Sequence, residues 1–117
     1  MVDIVLKRAY SAAQKSDGGR VLVDRLWPRG IKKEDLAIDE WYKDIAPSKD
    51  LRQWFDHDPE KWGDFRKRYL SELSDNKDRA KELLEQKKDG RLTLVYAAKD
   101  EQHNHARVIR EYLRHLK

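Results

Sequence analysis

The chain contains no cysteine. That removes disulfides, thiolate metal sites and thiol nucleophiles together. No apolar run approaches the ~18 residues of a membrane-crossing segment, and no secretory leader pattern opens the sequence. The expectation is a cytoplasmic protein with no membrane span. A Gly-rich phosphate loop, a Gly-x-Ser-x-Gly elbow and a Walker-type lysine are all missing. So are internal repeats, low-complexity tracts and linker-like runs. His103 and His105 would stand about 200° apart on a helix of ~3.6 residues per turn, so they share no metal-binding face. No His-x-x-x-His or carboxylate–His motif occurs elsewhere, and neither a metal nor another cofactor is expected.

What is present is charge. Charged residues make up 41% of the 117 positions and mean hydropathy is −1.03, values that raise the question of disorder. Leu, Ile, Val and Phe nevertheless account for 26 residues, just above the roughly one-fifth below which a highly charged chain stays unfolded. Four Trp and five Tyr add apolar area. The length fits one domain, residues 1–117, able to bury roughly two-thirds of its unfolded surface. Twenty-six positive charges are interspersed with 22 negative ones, and the pI is 9.3. That balance admits anionic partners without demanding them.

Three segments read as strands: 3–8, 20–26 and 91–98. The last two are apolar at nearly every position, as in a parallel sheet covered on both faces. Gly18-Gly19 and Gly90 mark the turns entering them. The connection between the first two strands is only about ten residues, so an irregular hairpin is the alternative to a parallel pair. Four segments read as helices. Ser48 is placed to cap 49–55. Asp58-Pro59 opens a helix with Trp62, Phe65, Tyr69 and Leu73 on one face. Ala80, Leu83, Leu84 and Lys87 suggest a third helix, closed by Gly90. Ala106, Ile109, Tyr112, Leu113 and Leu116 stripe a C-terminal helix whose other face carries Arg107, Arg110 and Arg114. The stretch 33–45 fits neither period and is expected to hold a short helix within a loop. The fold class is α/β: a small, mostly parallel three- or four-stranded sheet layered with helices.

Open α/β sheets bind ligands outside the carboxyl ends of their strands. Two segments qualify, 24–33 after the second strand and 99–105 after the third. Arg25, Arg29, Lys32 and Lys33 crowd the first, while Lys99 precedes a helix start with its free N–H groups. A solvated basic loop beside an ordinary helix capped by Asp100 reads equally well. Asp24, in an apolar strand, needs a partner, for which Arg8 and Lys99 are candidates. A structural ion pair is the simpler role for it, and a proton-handling role the alternative. His103 is either a surface or capping residue or a general acid–base. Trp27 either stacks on a ring or closes the core beneath its loop. The candidate catalytic set is Asp24, Asp100 and His103. The candidate ligand-binding set is Arg8, Arg25, Trp27, Arg29, Lys99 and Asn104.

The run Val23-Asp24-Arg25-Leu26-Trp27-Pro28-Arg29-Gly30 resembles the signature of the YeaO-like group within domain-of-unknown-function family 488. Two further blocks agree. One is Ala46-Pro47-Ser48, Leu51-Arg52, Trp54-Phe55, His57-Asp58-Pro59 and Trp62. The other is Tyr96-Ala97-Ala98-Lys99-Asp100 with His103-Asn104. The resemblance spans 4–113 and implies a small prokaryotic α/β protein without an assigned activity. Longer members of the wider family carry a Cys-His-Arg element after the last strand. Here Lys99-Asp100 and His103-Asn104 stand in its place, so no thiol mechanism carries over. Two functional classes follow: a site for an anionic, phosphate- or nucleotide-like small molecule, or a non-catalytic regulatory module that binds nucleic acid or protein.

Overall fold

Strands that are apolar at nearly every position are stable where both faces are covered. The computed structural model, which describes residues 2–116, builds its sheet on them. The strands are β1 (Asp3–Arg8), β2 (Gly19–Leu22), β3 (Glu40–Trp41) and β4 (Arg91–Tyr96). The helices are α1 (Lys33–Leu36), α2 (Lys49–Phe55), α3 (Trp62–Asp75), α4 (Lys77–Leu84) and α5 (His105–His115). The sheet runs in the order β1-β4-β2-β3 and every pair is parallel. In register, Leu6 lies beside Leu94, Val21 beside Leu94, and Leu22 beside Val95 and Trp41.

Alternation sorts the strand residues onto two faces. Ile4, Val21, Val23, Leu92, Leu94 and Tyr96 meet Phe55, Phe65, Tyr69, Leu83, Ile109 and Leu113 from the helices. Leu22 and Val95 look the other way, onto Ala9, Trp27, Ile31 and Ile38 from the loops, Leu36 of α1 and Trp41 of β3. Burying each such Leu or Val contributes roughly 1.5–3 kcal/mol. No helix among the described residues is long and apolar enough to cross a membrane.

The sheet resolves the uncertain pairing of the first two strands: they are not a hairpin, because β4 lies between them. Residues 9–18 make the crossover without a full helix, using one 3-10 turn at Lys15–Asp17. Ten nearly extended residues reach ~33–36 Å, enough to return along a short strand and step across its neighbour. The crossover ends in glycines for steric reasons. Gly18 has φ +67°, and a Cβ on Gly19 would stand 2.0 Å from the Gln86 carbonyl oxygen.

Three expectations are corrected. The second strand ends at Leu22, not Leu26, and the last at Tyr96, not Ala98. Val23 still donates to the Val95 carbonyl at 3.1 Å, but the chain diverges after it. The stretch 33–45 holds α1 as expected and also the fourth strand, β3. Asp39 produces that pairing: its N–H donates to the Arg20 carbonyl and its carboxylate accepts from the Arg20 N–H, at 2.7 and 2.9 Å. The Ser48 cap holds, with Oγ accepting from the Leu51 N–H at 3.2 Å.

A buried ionic cluster fastens the crossover. Asp17 binds Lys7 Nζ at 3.1 Å and Arg20 Nη1 at 2.7 Å. Arg20 also donates to the carbonyls of Leu36 and Ala37, so one guanidinium joins the crossover, β2 and the end of α1. Burial pushes the Asp17 carboxyl up, but hydrogen bonds from the Gln14 N–H, Lys7 and Arg20 outweigh it and hold the group below its ordinary range. A depressed carboxylate contributes stability above its unfolded pKa of ~3.9 and loses it as pH falls through the folded value. Acid unfolding is therefore expected to set in below about pH 4. Asp17→Asn should cost about 3–5 kcal/mol at neutral pH by stranding Arg20. Urea unfolding across pH checks both; a neutral-pH loss under 1 kcal/mol would contradict the assignment.

Candidate functional site

Parallel pairing brings the exits of β2 and β4 to one edge of the sheet, where α5 also begins. The end of α2 supplies the facing wall. Between them lies a cleft of about 610 Å³. Ala46, Pro47, Phe55, Phe65, Ala97 and Ala98 form its apolar lining, and Asp24, Arg25, Arg52, His57, Lys99, Asp100, His103, Asn104 and His105 its polar one.

Asp24 is the hinge pin of this edge. Its Oδ2 accepts from the Ala97 N–H at 3.0 Å, joining the two strand exits. Its Oδ1 lies 3.1 Å from His105 Nε2, the first residue of α5. The same nitrogen is 3.0 Å from the Val23 carbonyl. Both neighbours are acceptors, so Nε2 must carry the proton. Its N–H is directed at the carbonyl, which leaves Asp24 Oδ1 beside the ring but without a hydrogen bond. The partner of Asp24 is thus neither Arg8 nor Lys99. Arg8 instead donates to the Ala98 and Ala97 carbonyls at 3.0 and 3.3 Å, bracing the β4 exit from outside the cleft.

Arg25 has one end fixed, with Nη2 donating to the Pro47 carbonyl at 3.0 Å. Its Nε is buried and makes no hydrogen bond. Lys99 and Arg52 are exposed at the lip. The loop before α5 is held by Asp100, whose Oδ1 accepts from the Gln102 and His103 N–H groups, both at 2.9 Å. Its Oδ2 meets His103 Nδ1 at 3.0 Å. The Gln102 and His103 backbone bonds and the His103 ring depress the Asp100 carboxyl below its usual range. The helix cap, however, is Asn104, not Asp100. Asn104 Oδ1 accepts from the Arg107 N–H at 3.1 Å while Nδ2 donates to the Asp100 carbonyl at 3.0 Å. His103 packs edge-on against Trp62 at 5.4 Å, leaving its Nε2 as the ring nitrogen not engaged by Asp100.

Of the sequence candidates, six line the cleft: Asp24, Arg25, Lys99, Asp100, His103 and Asn104. Arg8, Trp27 and Arg29 do not. Trp27 packs under its loop on the opposite sheet face, donating to the Ile31 carbonyl at 2.7 Å and meeting Trp41 edge-on. Arg29 is exposed on that loop. Arg52, His57 and His105 line the cleft without having been singled out. His57 is aimed there by two successive left-handed residues, Asp56 (φ +44°) and His57 (φ +55°), which a helix-ending Asp-His pair does not announce. The wall carrying them is anchored through Ser48, whose N–H and Oγ both donate to Glu72 of α3, at 2.8 and 2.6 Å.

A four-stranded parallel sheet with α2–α5 on one face, α1 and irregular segments on the other, and a cleft at its carboxyl edge is a small α/β domain. Residues 3–116 match the family model described as the inactive DUF488-N3 subclade, and the chain belongs to that family. It is 49% identical over 115 residues to the Escherichia coli K12 "Uncharacterized protein YeaO", covering 98% of this chain and all of that protein. It is also 51% identical over 69 residues to the Mycobacterium tuberculosis H37Rv "Uncharacterized protein Rv3073c", covering 59% of this chain and 58% of that one. No solved structure matches.

The Asp24 linkage has a measurable consequence. Asp24→Ala leaves the Ala97 N–H without its acceptor, and should cost about 1–3 kcal/mol in chemical denaturation. Asn104→Ala should cost about 1 kcal/mol as a lost cap. Wild-type stability for both variants would show that neither contact holds the edge together.

Proposed function

We propose that the cleft binds a small organic anion, a phosphate- or nucleotide-like molecule, and that its role is binding rather than turnover. The observation that carries this reading is Arg25: its guanidinium is pinned at one end, and its buried Nε has no partner among the described residues. A buried donor without an acceptor costs roughly 1–3 kcal/mol, and an anion beside the guanidinium would offset part of that through its charge. Arg52 and Lys99 add positive charge at the lip, and the apolar floor suits the body of an organic molecule. The volume falls within the ~300–1,000 Å³ of ordinary ligand sites.

The candidate catalytic groups argue for binding. Asp24 and Asp100 already accept backbone N–H bonds. His103, oriented by Asp100, is the one member of that set with a ring nitrogen in reserve for a proton. The family description as inactive and the lack of any cysteine fit the same conclusion.

A thermal-shift panel tests it, with phosphate, sulfate, nucleoside monophosphates and short oligonucleotides at low and high salt. Ligand at 100 times its Kd should stabilise the fold by ~2.7 kcal/mol, raising Tm by several degrees. Arg52→Ala and Lys99→Ala, both at exposed positions, should each weaken binding about tenfold, or ~1.4 kcal/mol. Undiminished binding in both variants would place the ligand elsewhere. A shift from oligonucleotides alone, erased by salt, would favour the nucleic-acid module.

A further inference from the structure

We infer that the cleft selects a phosphate ester with an apolar, ring-bearing body over a bare phosphate or one carried on a polyol, and that Leu26 makes the selection. This rests on the anion-binding reading above and narrows the class of its ligand. A single leucine on a surface needs no explanation by itself. Leu26, however, is 68% exposed while lining the cleft, and it belongs to neither of the apolar clusters that cover the sheet. Tyr10, the other large hydrophobic side chain exposed among the described residues, has partners. Its hydroxyl donates to the Arg29 carbonyl at 3.1 Å, and the Arg8 guanidinium lies 5.2 Å from its ring centre. Leu26 is left facing water at the mouth of a binding site.

Its neighbours hold it there. Asp24 is fixed by its carboxylate on the Ala97 N–H and by its carbonyl, which accepts from Trp41 Nε1 at 2.7 Å. Arg25 is fixed by the Pro47 carbonyl. On the other flank Trp27 is committed to the opposite sheet face, against Trp41 and the Ile31 carbonyl. Pro28 restricts the backbone further. Turning Leu26 inward would pull on the contacts that hold this rim, so its exposure is built into the fold.

The rest of the lining decides what covers it. A phosphoryl group satisfies the cations Arg25, Arg52 and Lys99. Beside them stand Pro47, Ala97 and Ala98, whose side chains offer no hydrogen bond. Asp100 and Asn104 are already bonded within their own loop, which leaves little there for the hydroxyls of a polyol. An apolar body laid over Leu26 removes it from water, and burying a leucine is worth roughly ten- to hundredfold in an equilibrium constant. A ring supplies that area with few rotatable bonds to freeze, as in an aryl or nucleoside phosphate.

The test is calorimetric titration of the whole protein with phenyl phosphate, glycerol phosphate and inorganic phosphate at one pH and ionic strength. Phenyl phosphate should bind at least about tenfold tighter than the other two. Leu26→Asn, at an exposed position, should lose about tenfold for phenyl phosphate and change the other two by less than about twofold. Leu26→Met should restore the wild-type preference. Equal affinities for the three ligands, or an undiminished preference in Leu26→Asn, would overturn the selection and leave the anion site standing. Binding of none of the three, or phenyl phosphate binding untouched by both Arg52→Ala and Lys99→Ala, would overturn the anion-binding reading and the selection with it. A free protein that sediments as a dimer, and that Leu26→Asn disperses, would assign Leu26 to a subunit contact and overturn the proposal.

Discussion

The contact on which the carboxyl edge depends is the one between Asp24 and the Ala97 N–H. The ladder between β2 and β4 ends with the bond from the Val23 N–H to the Val95 carbonyl, after which nothing in it obliges their continuations to stay together. The carboxylate supplies that obligation. The His105 ring, bonded to the Val23 carbonyl and 3.1 Å from the other Asp24 oxygen, fixes where α5 begins, and hence where the His103–Asp100 loop stands. Asp24 and the carbonyl before it thus link two strand exits and a helix start. The cleft is the space those three elements leave against the end of α2.

The rest of the fold makes that arrangement possible by burying β4 from Leu92 to Tyr96. Helices cover one face of the sheet, while the other is closed by the crossover and by the segment around α1, fastened through Arg20 and Asp17. A buried guanidinium with a carboxylate and two carbonyls as partners is a directional fastener where a short loop offers too little apolar area. The cleft is thereby separated from the support of the crossover. The ion pairs that hold the crossover lie away from the cleft, and among the described residues Arg25, Arg52 and Lys99 of the cleft pair with no acid.

The strands and amphipathic helices were legible because their signal is periodic apolar burial. The parallel edge followed from those strands, and six candidate residues fell on it. What the sequence hid was short or indirect. β3 is two residues long and owes its pairing to Asp39, a loop aspartate with no pattern around it. Trp27 looked available for stacking, yet its ring has an apolar cluster and a carbonyl to satisfy. Arg8, the expected ion-pair partner of Asp24, finds carbonyl oxygens first. Arg52 and His57 reach the cleft only because α2 folds back beside the edge and ends in two left-handed residues. Such long-range placement leaves no trace in local spacing.

The central claim is that Arg25 stands ready to bind an anion in a cleft built by Asp24. Nitrogen-resolved NMR of the arginine Nε–H groups, during titration with a nucleoside monophosphate, addresses it most directly. If the cleft is the site, the Arg25 Nε–H resonance and the amides of 99–105 move together and saturate at one affinity. Movement confined to Arg107, Arg110 and Arg114, with Arg25 unchanged, would contradict it.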